Sequence, residues 1–174
     1  MSKLTGILIG TAVVAGAAAA FALAPAKADK EKKAPFLGRY YAHRGLHSGD
    51  VRVPENSLPA FALAAEKGYG IELDVHLTKD GHLVVHHDDS LKRMTGVDRV
   101  IGSSTLEEVR QCKLPNGEPV PTFDEMLALV DGKVPLLIEI KNDSAADVGR
   151  LEPLLMEKLA QYQGDFILES FEPQ

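Results

Sequence analysis

Ile71-Glu72-Leu73-Asp74-Val75 alternates apolar and acidic side chains over the length of one strand, and Leu83-Val84-Val85-His86-His87-Asp88 follows soon after, an apolar run that ends in polar residues. Residues two apart in a strand share a face, so Glu72 and Asp74 point one way while Ile71, Leu73 and Val75 point the other. A charge inside an apolar strand is costly unless it is paired or ligates a metal. The same signature returns at His43-Arg44-Gly45, Pro54-Glu55-Asn56 and Glu139-Ile140-Lys141. Function is the economical explanation for so many.

Working outward from these runs, short apolar stretches alternate with longer amphipathic ones from Tyr40 onward, which is the pattern of βα units and a parallel sheet. Five strands are predicted, near Tyr40 to Ala42, Ile71 to Val75, Leu83 to His87, Leu136 to Ile140 and Phe166 to Ser170. A helix starts near Asn56 or Ser57, carries Phe61, Leu63, Ala64 and Ala65, and is stopped by Gly68. Ser104-x-x-Glu107 and Thr122-x-x-Glu125 have capping-box spacing and predict two short helices. Val148, Leu151, Leu154, Leu155, Leu159 and Tyr162 recur at three and four, giving one apolar helix face. The turn-rich stretch from Asp88 to Pro121 reads as an irregular excursion lying over the strand ends.

With 174 residues there is room for one domain with a sizeable core. Two of the 19 basic residues, Lys3 and Lys27, precede this body, which leaves 17 against 25 acidic ones. No basic stripe is present, and nucleic acid is excluded as a natural partner. The single cysteine, Cys112, allows no internal disulfide and leaves the redox compartment open. Leu4 to Leu23 is an uncharged run of twenty residues, which as a helix would be roughly 30 Å long, the thickness of a bilayer core. It reads as a hydrophobic helix that targets a membrane. Its Ala-rich composition and the small residues around Ala26-Lys27-Ala28 fit a cleaved signal, whereas Lys27, Lys30, Lys32 and Lys33 after it fit an uncleaved anchor by the positive-inside tendency. The chain therefore divides into residues 1–28, a signal peptide or transmembrane anchor; residues 29–39, a linker; and residues 40–174, the folded domain.

In a parallel sheet the loops that leave the carboxyl ends of the strands converge on one face. His43, Asp74, His87, Glu139 and Lys141 are expected there, with Glu72 beside Asp74. Three carboxylates facing one another need a raised pKa or a cation among them. An all-oxygen site suits Mg²⁺ or Ca²⁺ better than zinc, which the six histidines between positions 43 and 87 would otherwise bring to mind. His86 and His87 are adjacent and point to opposite sides, so one of them at most joins the site, while His76 and His82 are read as structural or solvated.

These residues carry a resemblance. Tyr41-Ala42-His43-Arg44-Gly45, Pro54-Glu55-Asn56-Ser57, Ala60-Phe61, Gly70-Ile71-Glu72-Leu73-Asp74-Val75, Thr78-Lys79-Asp80-Gly81, the run from Leu83 to Leu91, Ile138-Glu139-Ile140-Lys141 and Glu169-Ser170-Phe171 resemble, in order and spacing, the glycerophosphodiester phosphodiesterases. The resemblance implies a (β/α)₈ TIM-barrel fold that hydrolyses glycerophosphodiesters to glycerol 3-phosphate and an alcohol with a divalent metal. By the same resemblance Glu72, Asp74 and Glu139 match the metal carboxylates, His43 and His87 the two catalytic histidines, and Arg44 and Lys141 the phosphate-contacting cations. The attacking oxygen is either a neighbouring glycerol hydroxyl of the substrate or water.

One departure stands out. A (β/α)₈ barrel takes about 250 residues, and Tyr40 to Gln174 provides 135, without the tryptophan that belongs to the family's later strands. The expectation is a barrel truncated after its fifth strand, with exposed sheet edges and a tendency to aggregate. Two rivals stay open: a phospholipase D-like enzyme acting on choline lipids, and a non-catalytic phosphate-binding module or inactive fragment.

Overall fold

The computed structural model describes residues 30–141 and 149–171. The hydrophobic helix expected over Leu4 to Leu23 lies outside the described residues, as does Val148; among the described residues no helix is long and apolar enough to cross a membrane. The chain divides into two compact units, Met1–Ala34 and Pro35–Gln174. Of the first, the described part is an exposed helical turn at Lys30–Lys33.

The second unit is an α/β fold on a parallel sheet. Strands β1 (Tyr41–Ala42), β2 (Gly70–Leu77), β4 (Leu136–Ile140) and β5 (Phe166–Glu169) lie side by side in the order β1-β2-β4-β5. All three neighbouring pairs are parallel. The remaining strand, β3 (Leu83–Val85), corrects the expectation of five parallel strands, because it pairs antiparallel with the end of β2, Val75 opposite Val85. The reason is length: a parallel return needs a crossover of a dozen or more residues, whereas Thr78 to His82 folds as a tight turn in which Thr78 N–H donates to the His82 carbonyl at 2.9 Å.

Helices α1 (Leu58–Glu66) and α4 (Phe123–Val130) cover one face of the sheet, with α5 (Leu151–Leu159) after β4. The helix-covered core joins Ile71, Leu73 and Val75 of β2 and Leu136 and Ile138 of β4 to Phe61, Ala64, Phe123, Met126 and Val130. Leu151, Leu155 and Leu159 form the buried stripe of α5, as their spacing predicted. Ser57 caps α1, its hydroxyl accepting from Ala60 N–H at 3.3 Å, and Gly68 ends it at φ +71°. The Thr122–Glu125 capping box forms as expected, but the other is shifted by one residue: Thr105 and Glu108 close it, while Ser104 donates to the Val100 carbonyl. The excursion between β3 and α4 is more ordered than its turn content suggests. Helices α2 (Lys92–Thr95) and α3 (Leu106–Gln111) enclose a second small core of Val84, Leu91, Ile101, Val109, Cys112, Leu114 and Val120.

The other face of the sheet carries the polar residues; Ile167 of β5 is 42% exposed there, and Phe171, just past the strand, is 77% exposed. Among the described residues β1 and β5 end the parallel run of the sheet.

The loop that leaves β1 is held against α1 by one glycine. Gly45 sits at φ +79°, and a Cβ built there would lie 2.8 Å from the Ala60 Cβ and 3.0 Å from Phe61 Cδ1. Gly45→Ala is therefore expected to destabilise the fold by about 2–4 kcal/mol, combining left-handed strain with overpacking. Urea denaturation checks this, and a change below about 0.5 kcal/mol, the range of ordinary surface substitutions, would show that the loop yields freely.

Candidate active site

Register places the acidic residues side by side. Asp74 of β2 is opposite Glu139 of β4, and Glu139 is opposite Glu169 of β5. Glu72 and Asp74 share a face by alternation, so both carboxylates stand beside Glu139. One oxygen from each of Glu72, Asp74 and Glu139 falls within 4.8 Å of the others, and all three residues are buried. The expected carboxylate cluster is thus present in space.

Two cationic residues, Arg44 and Lys141, and the neutral amide of Asn56 face it. Arg44, in the left-handed region at φ +58°, turns its backbone N–H onto Glu72 Oε2 at 2.8 Å. Lys141 reaches back along β4, bonding Glu139 Oε1 and lying 3.1 Å from Asp74 Oδ1. Asp74 Oδ1, fully buried, has this ion pair as its charged contact. The second Asp74 oxygen accepts from Asn56 Nδ2 at 2.9 Å and lies 3.8 Å from Arg44 Nε. Burial, together with the charges of Asp74 and Glu139, pushes Glu72 up to about 7 against the opposing pull of Arg44. Burial also works against the Lys141 charge, yet Glu139 and Asp74 hold its pKa above the usual lysine value. Three buried carboxylates against two cationic side chains, with Asp74 Oδ1 held by an ion pair but no hydrogen bond, fit a hard divalent cation held by oxygen ligands.

A cavity of about 320 Å³ opens beside the cluster, lined by Tyr41, His43, Glu72, Leu137, Glu139, Glu169 and Phe171. His43 stands at its mouth, 70% exposed, with Nε2 3.9 Å from Glu72 Oε2. His87 follows β3 outside this lining and presents Nδ1 to Asp88 Oδ1 at 2.6 Å. Of the seven residues singled out from sequence, the structure gathers Glu72, Asp74, Glu139, Lys141, Arg44 and His43 directly. His87 joins them through intermediaries, since Arg93 bridges Asp88 to Glu55, and Glu55 also accepts from Arg44 at 3.0 Å. Burial disfavours charge on Glu55, but the Arg93 and Arg44 guanidiniums hold it down to about 2.

Sequence reasoning left four participants without a role. Glu55, Asn56 and Asp88 were visible as polar clusters, but the partners that explain them lie 18 or more residues away or across a loop. Glu169 shows a signal in retrospect, because a strand aligned with β4 from Phe166 puts it on the Glu139 face. His76 and His86 are buried braces: the His76 Nε2 lies 3.1 Å from the His87 carbonyl, and His86 Nδ1 lies 2.9 Å from that of Asp88. Burial pulls His86 down to about 4, so it stays neutral at pH 7 and donates from Nδ1.

Residues 43–169 match the model of the Glycerophosphoryl diester phosphodiesterase family. The chain belongs to this family. It is 39% identical over 137 residues to a glycerophosphodiester phosphodiesterase of Caldanaerobacter subterraneus subsp. tengcongensis, covering 72% of this chain and 56% of that one. Lysophospholipase D GDPD1 of Homo sapiens is 35% identical over 121 residues, 67% of this chain and 36% of its own length. Among solved structures, an Oleispira antarctica phosphodiesterase in complex with its product sn-glycerol-3-phosphate superposes with a TM-score of 0.70 at 29% identity, covering 79% of this chain and 59% of that one. This member of the glycerophosphoryl diester phosphodiesterase family spans little more than half the length of the first of these relatives and of the Oleispira enzyme. The relatives named here are phosphodiesterases or a lysophospholipase D, and the Glu72–Asp74–Glu139 cluster of this chain is a group that could hold a metal ion.

Proposed function

We propose that this chain supplies the site of a metal-dependent phosphodiesterase that hydrolyses glycerophosphodiesters to glycerol 3-phosphate and an alcohol, on a sheet that forms part of a (β/α)₈ barrel. The observation that carries this reading is the buried Glu72–Asp74–Glu139 trio, whose oxygens gather within 4.8 Å, beside a cavity bearing a histidine. These three residues would hold Mg²⁺ or Ca²⁺, which when bound supplies charge neutralisation for the non-bridging phosphate oxygens.

The remaining steps belong to the protein's own side chains. Arg44 and Lys141 border the cluster and complement the phosphodiester charge, the guanidinium as a fork and the ammonium as a point charge. Hydrolysis requires two proton transfers, one from the attacking oxygen and one to the leaving alkoxide. His43 and His87 take these two roles. With Nδ1 of His87 tied to Asp88, its Nε2 is the atom that exchanges the proton. Residues 1–28 would bring this domain to a membrane, as a cleaved signal or an anchor. The match to the human lysophospholipase D favours a second reading, release of the head group from choline lipids on the same site.

The test is glycerol 3-phosphate release from glycerophosphocholine by the full chain, with Mg²⁺, with Ca²⁺ and with EDTA, alongside choline release from lysophosphatidylcholine. Metal-dependent glycerol 3-phosphate is the expected product. Choline release from the lipid alone would establish the second reading, and metal bound without turnover of either substrate would reduce the chain to a phosphate-binding module.

A further inference from the structure

The loop after β3 holds an arginine that the phosphodiesterase reading leaves without a role. Arg93, on α2, sends Nε to Asp88 Oδ2 at 2.6 Å and Nη2 to Asp88 Oδ1 at 3.1 Å, a two-point fork on one carboxylate. The same Nη2 reaches Glu55 Oε1 at 2.7 Å, and that oxygen also accepts from Arg44 Nη1 at 3.0 Å. Asp88 Oδ1 in turn faces His87 Nδ1 at 2.6 Å. One guanidinium therefore ties the histidine end of the site to its phosphate-facing arginine.

The backbone under this contact is fixed independently. The buried rings of His76 and His86 lie 3.1 and 2.9 Å from the His87 and Asp88 carbonyls, which leaves the Asp88 side-chain torsions as the main remaining freedom. A rotated carboxylate would release the His87 ring, and a bidentate guanidinium is the group that prevents rotation. Ordinary exposed ion pairs contribute little, but Glu55 and Arg44 are largely buried, and the network shares donors and acceptors across 38 residues of chain between Glu55 and Arg93.

We propose that Arg93 is a positioning residue: its fork on Asp88 locks His87 as the Nδ1–H tautomer with Nε2 free, and its bond to Glu55 sets the Arg44 guanidinium in the same movement. The inference rests on the phosphodiesterase reading for its kinetic consequence but not for its structural one. It is tested in the full chain with Arg93→Met, Arg93→Lys, Asp88→Asn and the Arg93→Met/Asp88→Asn pair, using ¹⁵N NMR of the His87 ring beside steady-state kinetics on glycerophosphocholine and calorimetric Mg²⁺ titration.

The wild-type His87 is expected to show a protonated Nδ1 and an unprotonated Nε2. Arg93→Met should give a mixture of tautomers, lower kcat by about 10- to 100-fold, part of what general acid–base catalysis supplies, and raise KM through the released Arg44, with Mg²⁺ affinity within about twofold. Arg93→Lys, which keeps charge but loses the fork, should recover only part of this. The double variant should be no worse than the worse single one, because both act on the same contact. An unchanged His87 tautomer in both Arg93→Met and Asp88→Asn overturns the proposal, as does a loss of kcat matched by an equal loss of Mg²⁺ affinity. A wild-type chain that turns nothing over defeats the phosphodiesterase reading alone, and the tautomer measurement still decides the role of Arg93.

Discussion

Asp74→Asn is expected to lower the affinity for Mg²⁺ or Ca²⁺ by at least a hundredfold and to remove turnover with it. Lost neighbours of a metal ligand typically cost about 10- to 100-fold in affinity, and Asp74 is a central member of the cluster itself, fully buried between Glu72, Glu139 and Lys141. The substitution is nearly isosteric. Its carboxamide oxygen still accepts from Asn56 Nδ2, so a loss of fold is not the expected cause, and a thermal melt of the metal-free protein serves as the control. Calorimetry reads the affinity directly. Wild-type affinity in Asp74→Asn would make the acidic cluster structural.

The same measurement has a pH arm. Burial and its acidic neighbours push Glu72 up to about 7, so in the metal-free protein a proton occupies this carboxyl below that pH. A cation must displace it, and metal affinity should therefore rise as pH increases from about 6 to 8, with proton release on binding. The sign for stability is opposite. An unfolded Glu ionises near 4.5 and this one near 7, so the group's contribution to the metal-free fold is present below 4.5 and is lost as pH rises through 7. Added metal should restore what that ionisation removes.

How far the sequence carried depended on the range of the interaction. Periodicity two in Glu72-Leu73-Asp74 puts both carboxylates on one face, which is local information, and the convergence of parallel strand ends brings Glu139 near them; both hold in the structure. The antiparallel return of β3 is also local, set by the five residues from Thr78 to His82, but an apolar run alone does not state its direction. What was not legible is the long-range polar wiring. Nothing in the spacing of Glu55, Asp88 and Arg93 announces that one guanidinium serves both acids, since ion pairs across loops have no sequence period. The shifted capping box has a similar cause: Ser104 and Thr105 both offer a hydroxyl, Glu107 and Glu108 both offer a carboxylate, and the backbone chose the pair that leaves Ser104 free to bond Val100.

His43→Ala and His87→Ala are each expected to lower kcat by about 10²–10⁴-fold, the contribution of a positioned general acid or base, while leaving Mg²⁺ affinity within a few-fold. His43 is largely exposed at the cavity mouth and makes its nearest charged approach to Glu72 at 3.9 Å, so its loss removes little packing. His87 is more deeply tied, but its partner Asp88 keeps the Arg93 fork when the ring is gone. The two roles separate on a substrate whose leaving group needs no proton. With a glycerophosphodiester of p-nitrophenol, the variant lacking the general acid should recover most of its deficit, and the variant lacking the base should recover none. We propose the assignment that the His87–Asp88 contact supports: His87, with Nδ1 held on Asp88, presents Nε2 as the base, and His43 at the cavity mouth gives the proton to the leaving oxygen. Recovery by His87→Ala instead of His43→Ala would reverse the assignment, and undiminished turnover in either variant would remove that histidine from the chemistry.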